Sequence, residues 1–354
     1  MPAGIRRLDQ PLISKGRPTL TTVQDRPEQI VATGRRNEPE GPEIKPEELE
    51  RFADDVQRLT INISRVVVAG GDTVKLVLLG LFSEGHILLE DLPGVGKTPL
   101  AKSLATSIDC EFKRIQFTPD LMPSDITGTT LVDMQAARFD FIPGPIFANI
   151  VLADEINRTG PRTQAALLEA MGERQVSVEG DVRHLPAPFL VIATQNMAES
   201  HGTFPLPDSQ LDRFLIAMNM GMPSRDDETE ILLRSQRGIP TAETIISGDR
   251  VRDMQCTTSK VDVALPVRQY IVDIVATTRT AEGVEYGVSP RGGAALQRAS
   301  QTWAAMSKRN YVVPEDIQAV APHVTAHRLI MSPAADRSAA EVIEKVLQST
   351  EIPA

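Results

Sequence analysis

At 354 residues the chain has room for two domains, and its 41% hydrophobic content supports packed cores rather than a disordered polymer. A formal charge of −10 argues against a nucleic-acid groove, which needs clustered Lys and Arg to neutralise phosphates, although a local basic patch stays open. Cys110 and Cys256 are too few for a disulfide framework or a cysteine zinc site; with neither a secretory apolar core nor an apolar run near the roughly 18 residues that span a bilayer, a cytoplasmic protein without membrane insertion is expected.

Residues 1–44 mix charges of both signs with Pro, Gly and Thr and carry no helical or strand period, so a disordered arm is expected there, either a flexible tail or a partner-binding segment. From Pro46 the period turns helical, with Phe52, Val56, Leu59 and Ile63 at i+3 and i+4 steps, and a second helix is predicted over 72–82. A short apolar strand at 87–89 runs through Leu92-Pro93-Gly94-Val95-Gly96-Lys97-Thr98 into helical spacing at Leu100, Ala101 and Leu104. Strand, glycine loop and helix are the order that a phosphate-binding loop requires. Gly94 and Gly96 let main-chain N–H groups and the helix N-terminus face an anion, with Pro93, Val95 and Pro99 completing the cradle. Lys97 would place a point charge at the β- and γ-phosphates, and Thr98 would offer a hydroxyl to Mg²⁺. Two residues depart from the G-x-x-x-x-G-K-[ST] pattern. Asp91 stands where the first glycine is expected and would dent the first turn. Pro99 lacks an N–H for the phosphates, although proline is tolerated in a first helical turn.

Residues 112–117 predict a second strand, followed by the loop TPDLMPSDITGT and an inserted hairpin over 130–143. The continuous apolar run 150–153, as in a strand covered on both faces, ends in Asp154-Glu155, and Asp154 lies 56 residues after Thr98. Carboxylates at the carboxyl end of a buried strand stand at the crevice where α/β sheets bind ligands. Side chains alternating about the strand end would let Asp154 hold Mg²⁺ through water while Glu155 polarises the attacking water; an acidic helix cap is the alternative. A helix over 163–171, a hairpin around Glu179-Gly180-Asp181 and a buried strand over 189–194 follow. That strand ends in Gln195-Asn196, which places Asn196 to hold the attacking water or the γ-phosphate. A fifth strand over 215–220 follows Leu211-Asp212-Arg213-Phe214. Five apolar strands with helical crossovers predict a parallel, doubly wound sheet. After Pro223 the pattern is helical over 228–237, 267–278, 291–307 and 314–320, and Ser289-Pro290-Arg291 puts Arg291 in a first helical turn. The expected division is an arm at 1–44, an α/β core at 45–222 and a small all-α lid with a tail at 223–354. His323 and His327, four apart, are read as lid packing rather than as metal ligands.

The motifs PGVGKT, LADEINR, TQN, PLPDSQLDRF and GVSPRG, in this order, resemble the MoxR family of AAA+ ATPases over residues 50–332. The resemblance implies a P-loop core with a five-stranded parallel sheet, inserted hairpins and a helical lid, assembled as a homo-oligomeric ring, usually a hexamer. It implies hydrolysis of ATP to ADP and phosphate with Mg²⁺. Lys97 and Thr98 match Walker A, Asp154 and Glu155 match Walker B, and Asn196 and Arg291 match sensors 1 and 2. Arg213 matches the finger arginine that reaches a neighbour's γ-phosphate, and Arg158 is either a second interfacial arginine or a helix cap. The two hairpins resemble the helix-2 insert and the pre-sensor-1 hairpin, which face the ring's pore. The family's members look like chaperone-type remodellers that act on client proteins with von Willebrand factor A domain partners. No D-x-S-x-S motif of such a domain occurs here, so the motor alone is expected. The competing readings are a nucleic-acid-directed motor, disfavoured by the acidic charge, and a nucleotide-gated scaffold without catalysis, suggested by Asp91 and Pro99.

Overall fold

The computed structural model describes residues 44–353 apart from 69, 71, 92–93, 134–137 and 197–201. The expected arm and Pro93 of the phosphate loop therefore lie outside the described residues. Two helices, α1 (Pro46–Val66) and α2 (Thr73–Phe82), lead into β1 (His86–Glu90) and α3 (Lys97–Ser107). β2 (Phe112–Gln116) is followed by α4 (Pro123–Thr127) and the hairpin β3 (Gly128–Asp133) and β4 (Arg138–Pro143). Then come β5 (Ile150–Asp154), α5 (Pro161–Glu173), the hairpin β6 (Gln175–Val178) and β7 (Asp181–His184), β8 (Leu190–Gln195), α6 (Asp208–Leu211) and β9 (Phe214–Met218). Helix α4 falls inside the segment expected to be a loop. Pro123 opens its first turn, and the Asp125 carboxylate accepts from Met122 N at 2.8 Å, a local cap that a count of Pro and Asp hides.

The five parallel strands lie in the order β2-β5-β8-β1-β9. Successive residues of the apolar runs divide between two cores, which is why the runs show no polar alternation. Ile87, Leu89, Ile150, Leu152, Leu190 and Ile192 pack with α1, α2 and α3, whereas Leu88, Val151, Val191 and Ala193 pack with α5 on the opposite face. Helix α2 is buried except at Lys75, and its Gly80 lets the backbone approach Ile87, where a Cβ would stand 2.7 Å from Ile87 Cδ1. His86 joins three elements at the amino end of β1. Its Nδ1 accepts from Val191 N at 3.0 Å, so Nε2–H donates to the Met171 carbonyl at 3.1 Å, and burial lowers the imidazole pKa to about 4.

The remaining elements are α7 (Arg225–Arg237), α8 (Gly248–Ser259), α9 (Leu265–Thr278), β10 (Val284–Tyr286), α10 (Pro290–Met306), α11 (Pro314–Thr325), β11 (Ile330–Met331) and α12 (Ala339–Ser349). The lid is helical as expected, and it also carries the antiparallel ribbon β10–β11. Sequence periodicity overlooks α8, because two of its buried positions are Thr257 and Thr258, whose hydroxyls bond within the helix and to Phe82 O. Helix α12 is announced by a reciprocal cap between Ser338 and Glu341. The described residues form one compact unit, held across the lid by Gln255 Nε2 to Leu81 O at 2.8 Å and by Glu84, which pairs at 2.6 Å with both Arg174 and Arg298.

Candidate active site

The phosphate loop leaves β1 at the carboxyl edge of the sheet, where parallel strands open a crevice. Gly94 and Gly96 have φ of 92° and 97°, a left-handed backbone that glycine adopts without strain. The first helical hydrogen bond shown at this end runs from Leu100 N to Gly96 O at 3.1 Å, so the N–H groups of Gly96, Lys97 and Thr98 precede the ladder and form a helix N-terminus suited to an anion. Pro99 is the third residue of α3, where its missing N–H removes no helical bond. Lys97 Nζ reaches back to the Asp91 carbonyl at 3.1 Å. Lys97, Thr98 and Pro99 share a cleft of about 350 Å³ with Gly94, Gly96, Arg114, Gln116, Asp154, Glu155 and Asn196.

Asp91 has a role that its place in the motif does not suggest. It is 5% exposed, and its carboxylate accepts from Met220 N at 2.7 Å and Gly221 N at 3.4 Å, tying the root of the phosphate loop to the chain leaving β9. The expected dent is thus an anchor, because the site of the missing glycine faces two main-chain donors. Asp91→Gly, which restores the general motif, is expected to destabilise the fold by about 1–3 kcal/mol, since it strands a buried N–H. Urea unfolding with an unchanged or higher midpoint would refute this role.

Asp154 and Glu155 sit at the carboxyl tip of β5, but simple strand alternation does not separate them. Asp154 is the last strand residue, and Glu155 turns left-handed at φ 59° and ψ 50°, which takes it off the pleat. One buried hydroxyl sets both: Thr194 Oγ1 donates to Asp154 Oδ1 at 2.7 Å and accepts from Glu155 N at 2.8 Å. Edge strand β2 holds their outer oxygens. Arg114 Nη2 donates to Asp154 Oδ2 at 2.6 Å, and Gln116 Nε2 donates to Glu155 Oε2 at 2.8 Å. Arg158 Nη1 also donates to Glu155 Oε2, at 3.0 Å. Asn196 is buried beside this group, and its carbonyl accepts from Asn157 Nδ2 at 3.2 Å. Sequence reasoning missed Arg114, Gln116 and Thr194 as site residues. The signal was present in the period-two pattern of Lys-Arg-Ile-Gln, which aims Arg114 and Gln116 to one face around buried Ile115.

The Thr98 hydroxyl and the Asp154 carboxylate are hard oxygen donors, and no cluster of three or more His, Cys, Asp or Glu among the described residues forms an all-protein cage. This donor set fits Mg²⁺, which keeps water and phosphate oxygens and takes only one or two from protein.

Arg213 and Arg291 stand elsewhere. Phe214 pairs with His86 and Met218 with Leu89, so Arg213 enters β9 at the amino edge of the sheet, four residue steps or roughly 13 Å of strand from the phosphate-loop edge. Its Nη1 donates to the Leu168 carbonyl at 2.7 Å, along the last turns of α5, where a Cβ on Gly172 would lie 2.4 Å from that nitrogen. Arg291 is brought to the same edge. Ser289, which caps α10 through Gly292 N, lies 3.4 Å from Asp212 Oδ2, and Arg328 joins the pieces. Arg328, with its side chain 3% exposed, donates to Asp212 Oδ1 at 2.8 Å and to the Phe214 carbonyl at 2.7 Å. His327 packs beside it with Nε2 3.0 Å from that same carbonyl, and burial together with Arg328 lowers its pKa to about 3. The structure therefore gathers Lys97, Thr98, Asp154, Glu155 and Asn196 at one edge and Arg213 and Arg291 at the other.

Comparison with known proteins agrees with this architecture. The profile of the ATPase family associated with various cellular activities (AAA) matches residues 86–216, and an AAA lid domain profile matches 276–346. YeaC of Bacillus subtilis is 45% identical over 82% of this chain and 93% of its own length, and chaperone MoxR1 of Mycobacterium tuberculosis is 40% identical over 84% and 82%. A crystal structure from Cytophaga hutchinsonii, described as a candidate ATPase, superposes with a TM-score of 0.81 at 35% identity over 87% of this chain and 98% of that one. No helix among the described residues is long and apolar enough to cross a membrane. With both family profiles matched in order along the chain and a MoxR chaperone 40% identical over most of it, the chain belongs to the MoxR family of AAA+ ATPases.

Proposed function

We propose that this chain is an ATP-hydrolysing, chaperone-like motor of the cytoplasm that assembles as a homo-oligomeric ring, with each active site shared between two subunits. The observation that carries the reading is the division of the site: the phosphate loop and carboxylates occupy the carboxyl edge of the sheet, and the two candidate arginines occupy the amino edge. A neighbouring subunit that turns its amino edge toward this cleft completes the site, with Arg213 as its finger and Arg291 acting in trans beside it.

In that site Lys97 and the first-turn N–H groups hold the β- and γ-phosphates. Thr98 and Asp154 would hold Mg²⁺, which neutralises charge on the phosphate oxygens when bound. Glu155 orients and polarises the water that attacks the γ-phosphorus, and Asn196 steadies that water or the phosphoryl group. The bond to the β-phosphate oxygen breaks, and ADP and phosphate leave. The neighbour's arginines stabilise the charge spread over the transferring group.

The hairpins support a polypeptide client. Phe139 is 73% exposed on one face of the β3–β4 ribbon, and Leu131 and Ile142 are exposed on the other, so both faces offer apolar side chains. Arg183 of the second hairpin stacks on Phe141 of the first at 3.9 Å, so the two hairpins touch. By likeness to the family, a von Willebrand factor A domain protein is the expected partner in presenting a client.

Turnover per chain should rise with protein concentration and then plateau, in step with the sedimentation of a ring. A rate per chain independent of concentration, from a protein that sediments as a monomer, would overturn the shared-site reading. Stimulation by DNA that falls with added salt would instead favour a nucleic-acid motor.

A further inference from the structure

The phosphate cleft contains a second cation that the mechanism above does not use. Arg114, on edge strand β2, lines the cleft with Lys97, Thr98 and Asp154. Its Nη2 and Nε both donate to Asp154 Oδ2, at 2.6 and 3.2 Å, and Nη2 also donates to Gln116 Oε1 at 2.6 Å. Thr194 holds the other Asp154 oxygen, so both carboxylate oxygens are engaged by protein donors. The two sides of the ion pair differ in freedom: the Arg114 side chain is 47% exposed and that of Asp154 14%. A guanidinium on a long, half-exposed stem can leave, whereas the carboxylate is fixed by its strand and by Thr194.

We propose that Arg114 is a built-in competitor for the divalent cation at Asp154, raising the Mg²⁺ concentration needed to load the site with metal-bound nucleotide. The proposal rests on the reading of Asp154 as a cation ligand. Two cations on one carboxylate repel, so Mg²⁺ and Arg114 exclude each other from Oδ2, and the site takes its metal only when nucleotide phosphates add their own attraction. The same movement releases Gln116 Oε1, and Gln116 holds Glu155, so withdrawal of Arg114 is felt at both carboxylates.

The test uses the full chain, a fluorescent ADP analogue and a Mg²⁺ titration followed by nucleotide binding, with EDTA as the metal-free reference. Arg114→Gln should lower the half-saturating Mg²⁺ concentration about three- to tenfold, the effect of a charge-assisted bond discounted for its exposure. Binding in EDTA should remain, which also shows that the variant folds. Arg114→Lys keeps the charge without the fork and should fall between the two. Lys113→Gln removes a like charge from the same strand, from a side chain paired with Glu111 at 3.1 Å, and should leave the curve unchanged. If Arg114 merely holds Asp154 in place, Arg114→Gln will instead need more Mg²⁺, and that result or an unchanged curve overturns the proposal. If the parental chain binds ADP identically with Mg²⁺ and with EDTA, the assignment of Asp154 as a cation ligand falls first, and this proposal falls with it.

Discussion

Arg213→Ala is expected to bind ATP with parental affinity and to hydrolyse it roughly 10³ to 10⁵ times more slowly, the range in which an arginine supplied across an interface stabilises the transferring phosphoryl group. The strand register motivates the prediction. Arg213 precedes a strand that runs parallel to β1, so its own phosphate loop lies at the far end of the sheet, and no side-chain rotation brings the guanidinium to it. The hydrogen bond to Leu168 parks the side chain along α5, and its loss alone should cost about 1 kcal/mol of stability with no direct effect on chemistry. Thermal unfolding and turnover therefore separate a structural arginine from a finger. Mixing the variant with excess Lys97→Ala protein sharpens the result. Each is inactive alone, yet a mixed ring contains interfaces where an intact phosphate loop meets an intact finger. Partial recovery of turnover is expected once subunits exchange. Parental turnover by Arg213→Ala alone would remove the finger assignment and the catalytic role of the ring.

The second large effect is at Glu155. Glu155→Gln should retain ATP binding and lose roughly 10² to 10⁴ in turnover, because the amide keeps the shape of the side chain but cannot polarise the attacking water. The main-chain N–H of Glu155, held by Thr194 Oγ1 at 2.8 Å, is untouched by the substitution, so glutamine can keep the left-handed backbone at 155. A single-turnover measurement with radiolabelled ATP checks both halves, since bound nucleotide should persist unhydrolysed. Near-normal turnover would move the base elsewhere. The scaffold reading, a nucleotide switch without hydrolysis, predicts instead that the parental chain binds ATP and turns over none.

Much of this site could be read along the chain, because its chemistry is local. A phosphate loop needs its glycines, lysine and hydroxyl within a few consecutive residues, so Gly94, Gly96, Lys97 and Thr98 declare themselves in any context. Doubly covered strands write themselves as unbroken apolar runs, and hairpin turns such as Glu179-Gly180, with both residues at positive φ, are equally short-range. Other features depend on which strands are neighbours and in what register, which no local spacing encodes. Asp91 becomes an anchor only because β9 lies beside β1 and presents Met220 and Gly221. Arg114 and Gln116 reach the carboxylates only because β2 pairs with β5 so that Gln116 faces Asp154. Thr194 sets both carboxylates only because β8 lies on the other side of β5. The motif order along the chain names the AAA+ ATPase family, whereas the placement of its arginines at the opposite edge of the sheet from its phosphate loop follows from parallel pairing and from the buried Arg328 that binds the lid to Asp212.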